Sequence, residues 1–428
     1  RNISSVHLSP TTSMALARLQ ASGGIGDRRA RGICVIPTLM YGFAFEIQSP
    51  VGRCAHFTGF ALYLPPSDGR GGTESISIES GHCMNKSVLI ASLLMGLAAC
   101  SAPEPVAPAA VAPTSASALW SFETSARALR DESCPPGTPD LSPLAIRIAA
   151  APVALDESRA NSVLPASVTF AHGWSLTSGN KNFGGLSGLE TLPDGNLLTV
   201  SDAGTFVWIG LSDSEPNGTG KLAYMLGQDG KQLSGKTQGD AEGLAVRDGL
   251  ALVSFERDHR IEAFDLEECG ADARAARVAD LPFEVSGKPI GENQGAEALS
   301  ILPAGHLKFG LESLFSGPSP LGIVLANGDG VLSGEMASNP GGYSLVGLDE
   351  AVDASGNPVT VTLYRSYDPI RGNRNIVTWS TSDLQIELKR PMMVDNFEGV
   401  AAEFLNADTL RIWLISDNNF SARQQTLL

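Results

Sequence analysis

Long Leu-rich stretches striped with charge at helical spacing are scarce in this 428-residue chain, and only 18% of its residues are charged. That shortage argues against a helical bundle and leaves strands and turns as the building material. Basic residues are the scarcer sign, 30 Lys+Arg against 46 Asp+Glu, for a net charge of −16. A chain of that sign repels nucleic acid and attracts cations. Familiar catalytic signatures are missing too. Gly218-Thr219-Gly220-Lys221 lacks the earlier glycine and the following Ser or Thr of a phosphate loop, and Gly185-Leu186-Ser187-Gly188-Leu189 lacks the closing glycine of a nucleophile elbow. Asn327-Gly328-Asp329-Gly330 reads as a hairpin turn and not as an EF-hand loop, and His172, His259 and His306 show no ligand or triad spacing.

What the chain does have is a repeat. Ser187-Gly188-Leu189-Glu190, Glu242-Gly243-Leu244-Ala245, Glu297-Ala298-Leu299-Ser300 and Glu398-Gly399-Val400-Ala401 start at intervals of 55, 55 and 101 residues, the last about twice the others. Each copy is followed by a turn, an apolar run and a second acid: Asp202, Glu256, Glu312 and Asp417. Leu345-Val346-Gly347-Leu348-Asp349 lies where the period wants a further copy, and its following strand leads to Arg365. Short strands repeating every 40 to 50 residues or so mark a propeller, whose blades cannot bury their faces without neighbours.

The spacing predicts an all-β fold, a β-propeller of six blades of about four strands over residues 141–428. Pro193-Asp194-Gly195, Arg247-Asp248-Gly249 and Pro303-Ala304-Gly305 are its expected hairpin turns. Leu144 to Ile148 is expected to be an early strand completing the last blade, since an open ring would expose unpaired backbone groups. A β-sandwich or two smaller β domains would show no such fixed spacing of acids.

In a propeller, equivalent positions gather around one axis, so Glu242, Glu297 and Glu398 are expected to converge. Carboxylates crowded in a partly dry site either gain protons or hold a cation. Oxygen ligands suit Ca²⁺, so the expected metal set is Asp202, Glu242, Glu256, Glu297, Glu312, Glu398 and Asp417. The competing reading is that such acids bond backbone N–H groups of the next blade and only fix packing.

The first hundred residues read as something other than fold. Met84-Asn85-Lys86, the apolar run Val88 to Leu97 and Ala98-Ala99-Cys100 make a secretory signal over 84–100, too short to span a membrane. Leu97-Ala98-Ala99-Cys100 resembles a bacterial lipobox with Cys100 as the lipidated residue, and Ser101 in place of Asp points to the outer membrane facing the periplasm. Residues 1–83, with 7 Arg and no Lys against 5 Asp+Glu, read as an extension upstream of that signal. Residues 101–140 read as an Ala/Pro-rich tether. Two cysteines remain beyond it, Cys134 and Cys269, and spacing does not decide whether they pair.

Residues 170–428 resemble the phytase-like family described as "esterase-like activity of phytase", six-bladed propellers. The resemblance rests on Leu186-Ser187-Gly188-Leu189, Ser201-Asp202, Asp240-Ala241-Glu242-Gly243, Phe255-Glu256-Arg257, Asn293-Gln294-Gly295-Ala296-Glu297, Asn396-Phe397-Glu398-Gly399 and the ending Ser416-Asp417-Asn418-Asn419-Phe420 with Gln425-Thr426-Leu427-Leu428. Tyr364-Arg365 stands where the family has Glu-Arg, and Ala298 where it has Gly; the family also continues a few residues past the position of Leu428. The resemblance implies hydrolysis of phosphate or carboxylic esters; the convergence of acids adds the expectation that Ca²⁺ acidifies a bound water, with Glu242 and Glu297 as the catalytic carboxylates, one of them the base, and Arg257 or Arg365 holding an anionic oxygen. The expected partners are a small anionic or ester substrate and, through the lipid anchor alone, a membrane; a monomer is expected. A lactonase-like metal hydrolase and a non-catalytic periplasmic scaffold are the alternatives.

Overall fold

A computed structural model describes residues 45–49, 52–56, 118–156, 164–285, 288–291, 294–312, 318–338 and 340–428. The secretory signal, the lipobox with Cys100, and Glu292 and Asn293 lie outside the described residues. The chain divides into two units, residues 1–110 and 111–428. Of the first, the structure describes the antiparallel hairpin β1 (Phe45–Ser49) and β2 (Gly52–His56). The second unit holds all the other described residues.

This unit is a β-propeller. It begins with helix α1 (Phe122–Ser133), β3 (Leu144–Pro152) and β4 (Trp174–Ser178). The first blade is β5 (Leu186–Thr191), β6 (Leu197–Ser201), β7 (Thr205–Ser212) and β8 (Glu215–Tyr224). After the short helix α2 (Lys236–Gly239) comes the second, β9 (Ala241–Arg247), β10 (Leu250–Phe255), β11 (Arg260–Asp265) and β12 (Ala276–Asp280). A small hairpin, β13 (Glu284–Val285) and β14 (Lys288–Pro289), leads to the third blade. That blade is β15 (Ala296–Ile301), β16 (Leu307–Leu311), β17 (Ser319–Val324) and β18 (Gly330–Ala337). The fourth is β19 (Ser344–Val352), β20 (Pro358–Asp368), β21 (Gly372–Trp379) and β22 (Gln385–Leu388). Last come β23 (Asn396–Asn406), β24 (Thr409–Asp417) and β25 (Thr426–Leu427).

The innermost strands β5, β9, β15, β19 and β23 each touch the next, and β23 touches β5 again, which closes the ring. The propeller expected from the period is there: five groups of strands bring a strand to the axis, and a sixth group lies outside it. There β25 pairs with β4, β4 with β3, and β3 with β8 of the first blade. Ser416 joins β24 to this group, its Oγ donating to Gln425 O at 2.8 Å and accepting from Leu427 N at 2.8 Å. The expected early strand therefore exists, and it joins both ends of the propeller so that no inner edge is left open.

Close approach of inner strands explains the glycine of the repeat. A Cβ on Gly188 would sit 2.6 Å from Leu244 N, and one on Gly399 would sit 2.3 Å from Ser187 O. Backbone on the next blade cannot move aside as a flexible side chain would. The following Leu or Val fills the space between blades, so Leu189, Leu244, Leu299, Leu348 and Val400 are all buried.

Residues 118–140 correct the tether expectation, because they fold against the propeller. In α1, Phe122, Ala126, Leu129 and Ser133 recur at helical spacing and form one apolar face. Trp120, Phe122 and Leu129 pack with Leu250, Ile261, Phe309 and Val324 of the second and third blades. Arg130 Nη1 holds Asp265 at 2.7 Å, and Cys134 is disulfide-bonded to Cys269. The Ala/Pro bias that suggested a tether belongs to the residues before Ala118.

Candidate metal centre

The register of the inner hairpins shows how the repeat aims its acids. In every blade the pairing of first and second strand slips at the same place: at Leu186/Leu189, at Val253/Phe255 against β9, at Ala296/Ala298, at Leu345/Gly347 and at Phe397/Gly399. A bulge puts two residues opposite one and turns a side chain out of the regular alternation. The residues at the bulges are Ser187, Glu242, Glu297, Val346 and Glu398. At the end of each second strand stand Asp202, Glu256 and Glu312, one step past the last pair, and Arg365 and Asp417, in the last pair with Ser344 and Asn396. These two sets of positions contain all seven expected ligands, and the fourth blade contributes Val346 and Arg365 instead of acids.

The acids do meet, and the site has two sides. On one, carboxylate oxygens of Asp240, Glu242 and Glu256 lie within 4.8 Å of one another, all three residues buried. Burial pushes Glu242 well above the carboxylate range, with the charges of Glu398, Glu256 and Asp240 adding to it. Burial likewise lifts Glu256 to about 7, although hydrogen bonds from Glu297 and from the Gly295 N–H, 3.1 Å away, pull the other way. Glu297 is raised by burial and by Glu242, Glu312 and Glu256. Three carboxylates this close in a dry site form a set of hard oxygen donors, which is the chemistry a divalent cation needs. Two cations border the trio, Arg257 with Nε 2.8 Å from Asp240 and Lys236 with Nζ 3.4 Å from both Asp240 and Asp202.

On the other side Arg365 takes the central place. Its Nη1 donates to Glu398 Oε1 and, at 2.9 Å, to Asn396 Oδ1, while Nη2 is 3.6 Å from Glu312. Burial opposes its charge, but Glu398, Glu297, Glu312 and Glu242 more than offset that, so its pKa is raised. Asn396 Nδ2 links Glu398 Oε1 at 3.0 Å to Asp417 Oδ2 at 3.3 Å. Asp417 is lifted to about 8, first by burial and then by Glu398. Between the two sides Asp202 Oδ1 is buried with no hydrogen-bond partner. Gly185, at φ +59, makes room for it, since a Cβ there would fall 2.0 Å from that oxygen.

Sequence reasoning missed Asp240, Asn396 as a bridge, and Lys236. Asp240 and Asn396 occupy equivalent places, each two residues before the bulge acid, so aligning the repeats by register would have exposed both. Lys236 comes from α2 and has no counterpart in the repeat. The three histidines set aside by spacing are away from the acids: His306 Nδ1 lies 2.9 Å from Trp120 O, His172 stacks on Trp174, and His259 is buried with its pKa lowered by that burial.

The family model "Phytase-like: Esterase-like activity of phytase" matches residues 181–330, from just before the first blade into the third. No curated protein matches the chain. Among solved structures it is similar to the PQQ-bound aldose sugar dehydrogenase from Streptomyces coelicolor, at 14% identity and a TM-score of 0.36 over 60% of this chain and 96% of that one. Another is AofleA from Arthrobotrys oligospora, at 10% identity and TM-score 0.34 over 64% and 81%. A third is the putative oxidoreductase (glucose dehydrogenase) from Thermus thermophilus, at 12% identity and 0.29 over 57% and 97%. No residue or activity carries over at these identities and scores. The phytase-like match and the buried acid cluster together fit a hydrolase-type propeller in general terms. The disulfide fits an oxidising compartment, and no helix among the described residues is long and apolar enough to cross a membrane.

Proposed function

We propose that the protein is an exported, divalent-cation-dependent hydrolase of ester bonds, with Ca²⁺ as the cation. The observation that carries this reading is the trio Asp240, Glu242 and Glu256, whose oxygens are buried and gathered within 4.8 Å of one another. The bound cation would supply Lewis acidity, polarising an ester oxygen and acidifying a water molecule. Glu297 borders the trio, shares a hydrogen bond with Glu256 and has a raised pKa. It is therefore the residue placed to take the proton of the attacking water and return it to the leaving oxygen. Arg365 stabilises negative charge building up on the reacting group. Arg257 holds Asp240, so its role is to orient a ligand. Export by the 84–100 signal, lipidation at Cys100 and an outer-membrane location belong to the same proposal, and the oxidised Cys134–Cys269 pair supports its export component.

The test is hydrolysis of p-nitrophenyl phosphate and p-nitrophenyl acetate by the full chain, with and without EDTA. The expected result is loss in EDTA and recovery on adding Ca²⁺; activity that persists in EDTA sinks the metal mechanism. One observation favours a second reading, a non-catalytic scaffold: Arg365 already neutralises part of the ring. That reading wins if Ca²⁺ binds while Glu→Gln changes at Glu242, Glu297 and Glu398 alter only the melting temperature.

A further inference from the structure

Next to the carboxylates lies a cavity of about 920 Å³, and its walls differ from everything else around the axis. Glu312 and Arg365 lie on the side it shares with the metal centre, and Arg390, Arg423, Asn373 and Gln424 are among the residues that line the remainder. The two acids in its wall are occupied. Asp395 accepts from Asn373 Nδ2 at 3.1 Å, Asn396 N at 3.0 Å and Gln425 N at 2.8 Å. Glu312 faces Arg365.

The outer arginines are not occupied. Among the described residues, neither the Arg390 nor the Arg423 guanidinium has an ion pair or a hydrogen bond, whereas Arg260, Arg365 and Arg411 are each held by a carboxylate. Arg390 is also positioned. Its guanidinium lies against Gly372, where a Cβ would be 3.0 Å from Cζ and 3.1 Å from Nε and Nη2. Since Gly372 sits at φ +77, another residue there would be strained as well as crowding the guanidinium. In a chain with a net charge of −16, two unpaired guanidinium groups in one concave polar site next to a candidate metal centre call for an anion. Guanidinium forks match phosphoryl oxygens two at a time, and a carboxylate offers fewer.

We propose that Arg390 and Arg423 bind a phosphoryl group carried by the substrate, which makes the adjoining centre selective for phosphate esters over neutral carboxylic esters and lactones. This rests on the hydrolase reading for its consequence, but the anion site itself does not. The cavity mouth is cationic, so it concentrates anions and turns them toward the acids that hold the cation. Neutral esters gain nothing from these two side chains.

The experiment is calorimetric titration of the full chain with inorganic phosphate, in EDTA and again in Ca²⁺, for the wild type and for Arg390→Gln, Arg423→Gln and the double variant. Ca²⁺ binding is measured in parallel, and KM is compared for p-nitrophenyl phosphate and p-nitrophenyl acetate. The expected result is roughly tenfold weaker phosphate binding in the double variant, from two lost charge-assisted contacts. KM should rise more for the phosphate ester than for the acetate, with the melting temperature unchanged because both side chains are exposed. Phosphate binding that stays within twofold in the double variant overturns the proposal. Citrate binding as tightly as phosphate overturns the phosphoryl assignment. Absence of Ca²⁺ binding with phosphate binding intact in EDTA removes the hydrolase reading and leaves the anion site standing.

Discussion

Two sets of carboxylates sit on the inner hairpins of different blades, and they are used differently. Glu190 and Asp349 come three residues after Ser187 and Val346. Glu190 accepts from Val246 N of the next blade at 3.3 Å, and Asp349 from Ala402 N of the next blade at 2.6 Å. They fasten neighbouring blades. Asp240, Glu242 and Glu256 lie near each other, and of the three only Glu256 takes a main-chain N–H from across a blade boundary. Burial raises both sets: Asp349 reaches about 6 and Glu256 about 7. A shifted pKa therefore does not separate staple from ligand. The neighbours do: Glu190 and Asp349 each answer a main-chain N–H of the next blade, while Asp240, Glu242 and Glu256 also crowd one another, and crowded carboxylates need protons or a cation.

That contrast can be broken by substitution. The largest effect is expected at Arg365, the cation built into the ring. Arg365→Gln leaves the buried Glu398 and the half-buried Glu312 without their counter-charge, at a cost of about 3–5 kcal/mol by analogy with other broken buried pairs. Thermal unfolding should show a low melting temperature without metal and an enlarged recovery with Ca²⁺; an unchanged melting temperature would mean Arg365 is not balancing the ring. Next, Glu242→Gln with Glu256→Gln should abolish the Ca²⁺-induced rise in melting temperature and lower ester hydrolysis by about two orders of magnitude, the loss of one strong electrostatic contribution. The same variant without metal should be no less stable than wild type, because two repelling charges are gone. Destabilisation like that of a staple would move these residues to the other class.

Asp349→Ala should do the reverse. It strands the Ala402 N–H and should cost about 1–3 kcal/mol, with Ca²⁺ affinity unchanged by calorimetry; weakened Ca²⁺ binding would erase the distinction. The smallest effect concerns pH. Glu256 at about 7 and Asp417 at about 8 are raised above their unfolded values, so the metal-free protein should be most stable below about pH 4 to 5 on their account. It should lose that increment as pH rises through 7 and 8. Ca²⁺ competes with those protons, so its affinity should climb over the same interval. A pH-independent affinity between 6 and 9 would show that neither group gives up a proton to the ion.

Much of this site was legible because the propeller copies it. The interval of 55 residues located the first three inner strands, and the paired acids pointed to one axis before any coordinates. The fourth blade was nearly hidden, since Val346 and Arg365 stand at the two positions that carry acids in most other blades. Its strand still fell where the period placed it. Helix α1 was not foreseen because the Ala/Pro-rich reading of the residues before Ala118 was carried on to residue 140, while its apolar positions repeat over only three turns. That an early strand closes the ring followed from the need to pair open edges, but its pairing with both β4 and β8 is a long-range match that no local signal records. The Arg390–Arg423 cavity was equally invisible: neither arginine belongs to the repeat, and each reaches the cavity wall from a loop, after β22 and after β24.

The closure through β25, β4 and β3 has a consequence for biogenesis. The strands synthesised first among those of the propeller wait for nearly the last one before their hydrogen bonds are complete. Such distant pairing slows folding and leaves adhesive edges on view meanwhile. A polypeptide threaded outward through a secretion pore would have to stay unassembled until its tail emerged, so chaperone protection on the far side should govern yield more than the final stability does.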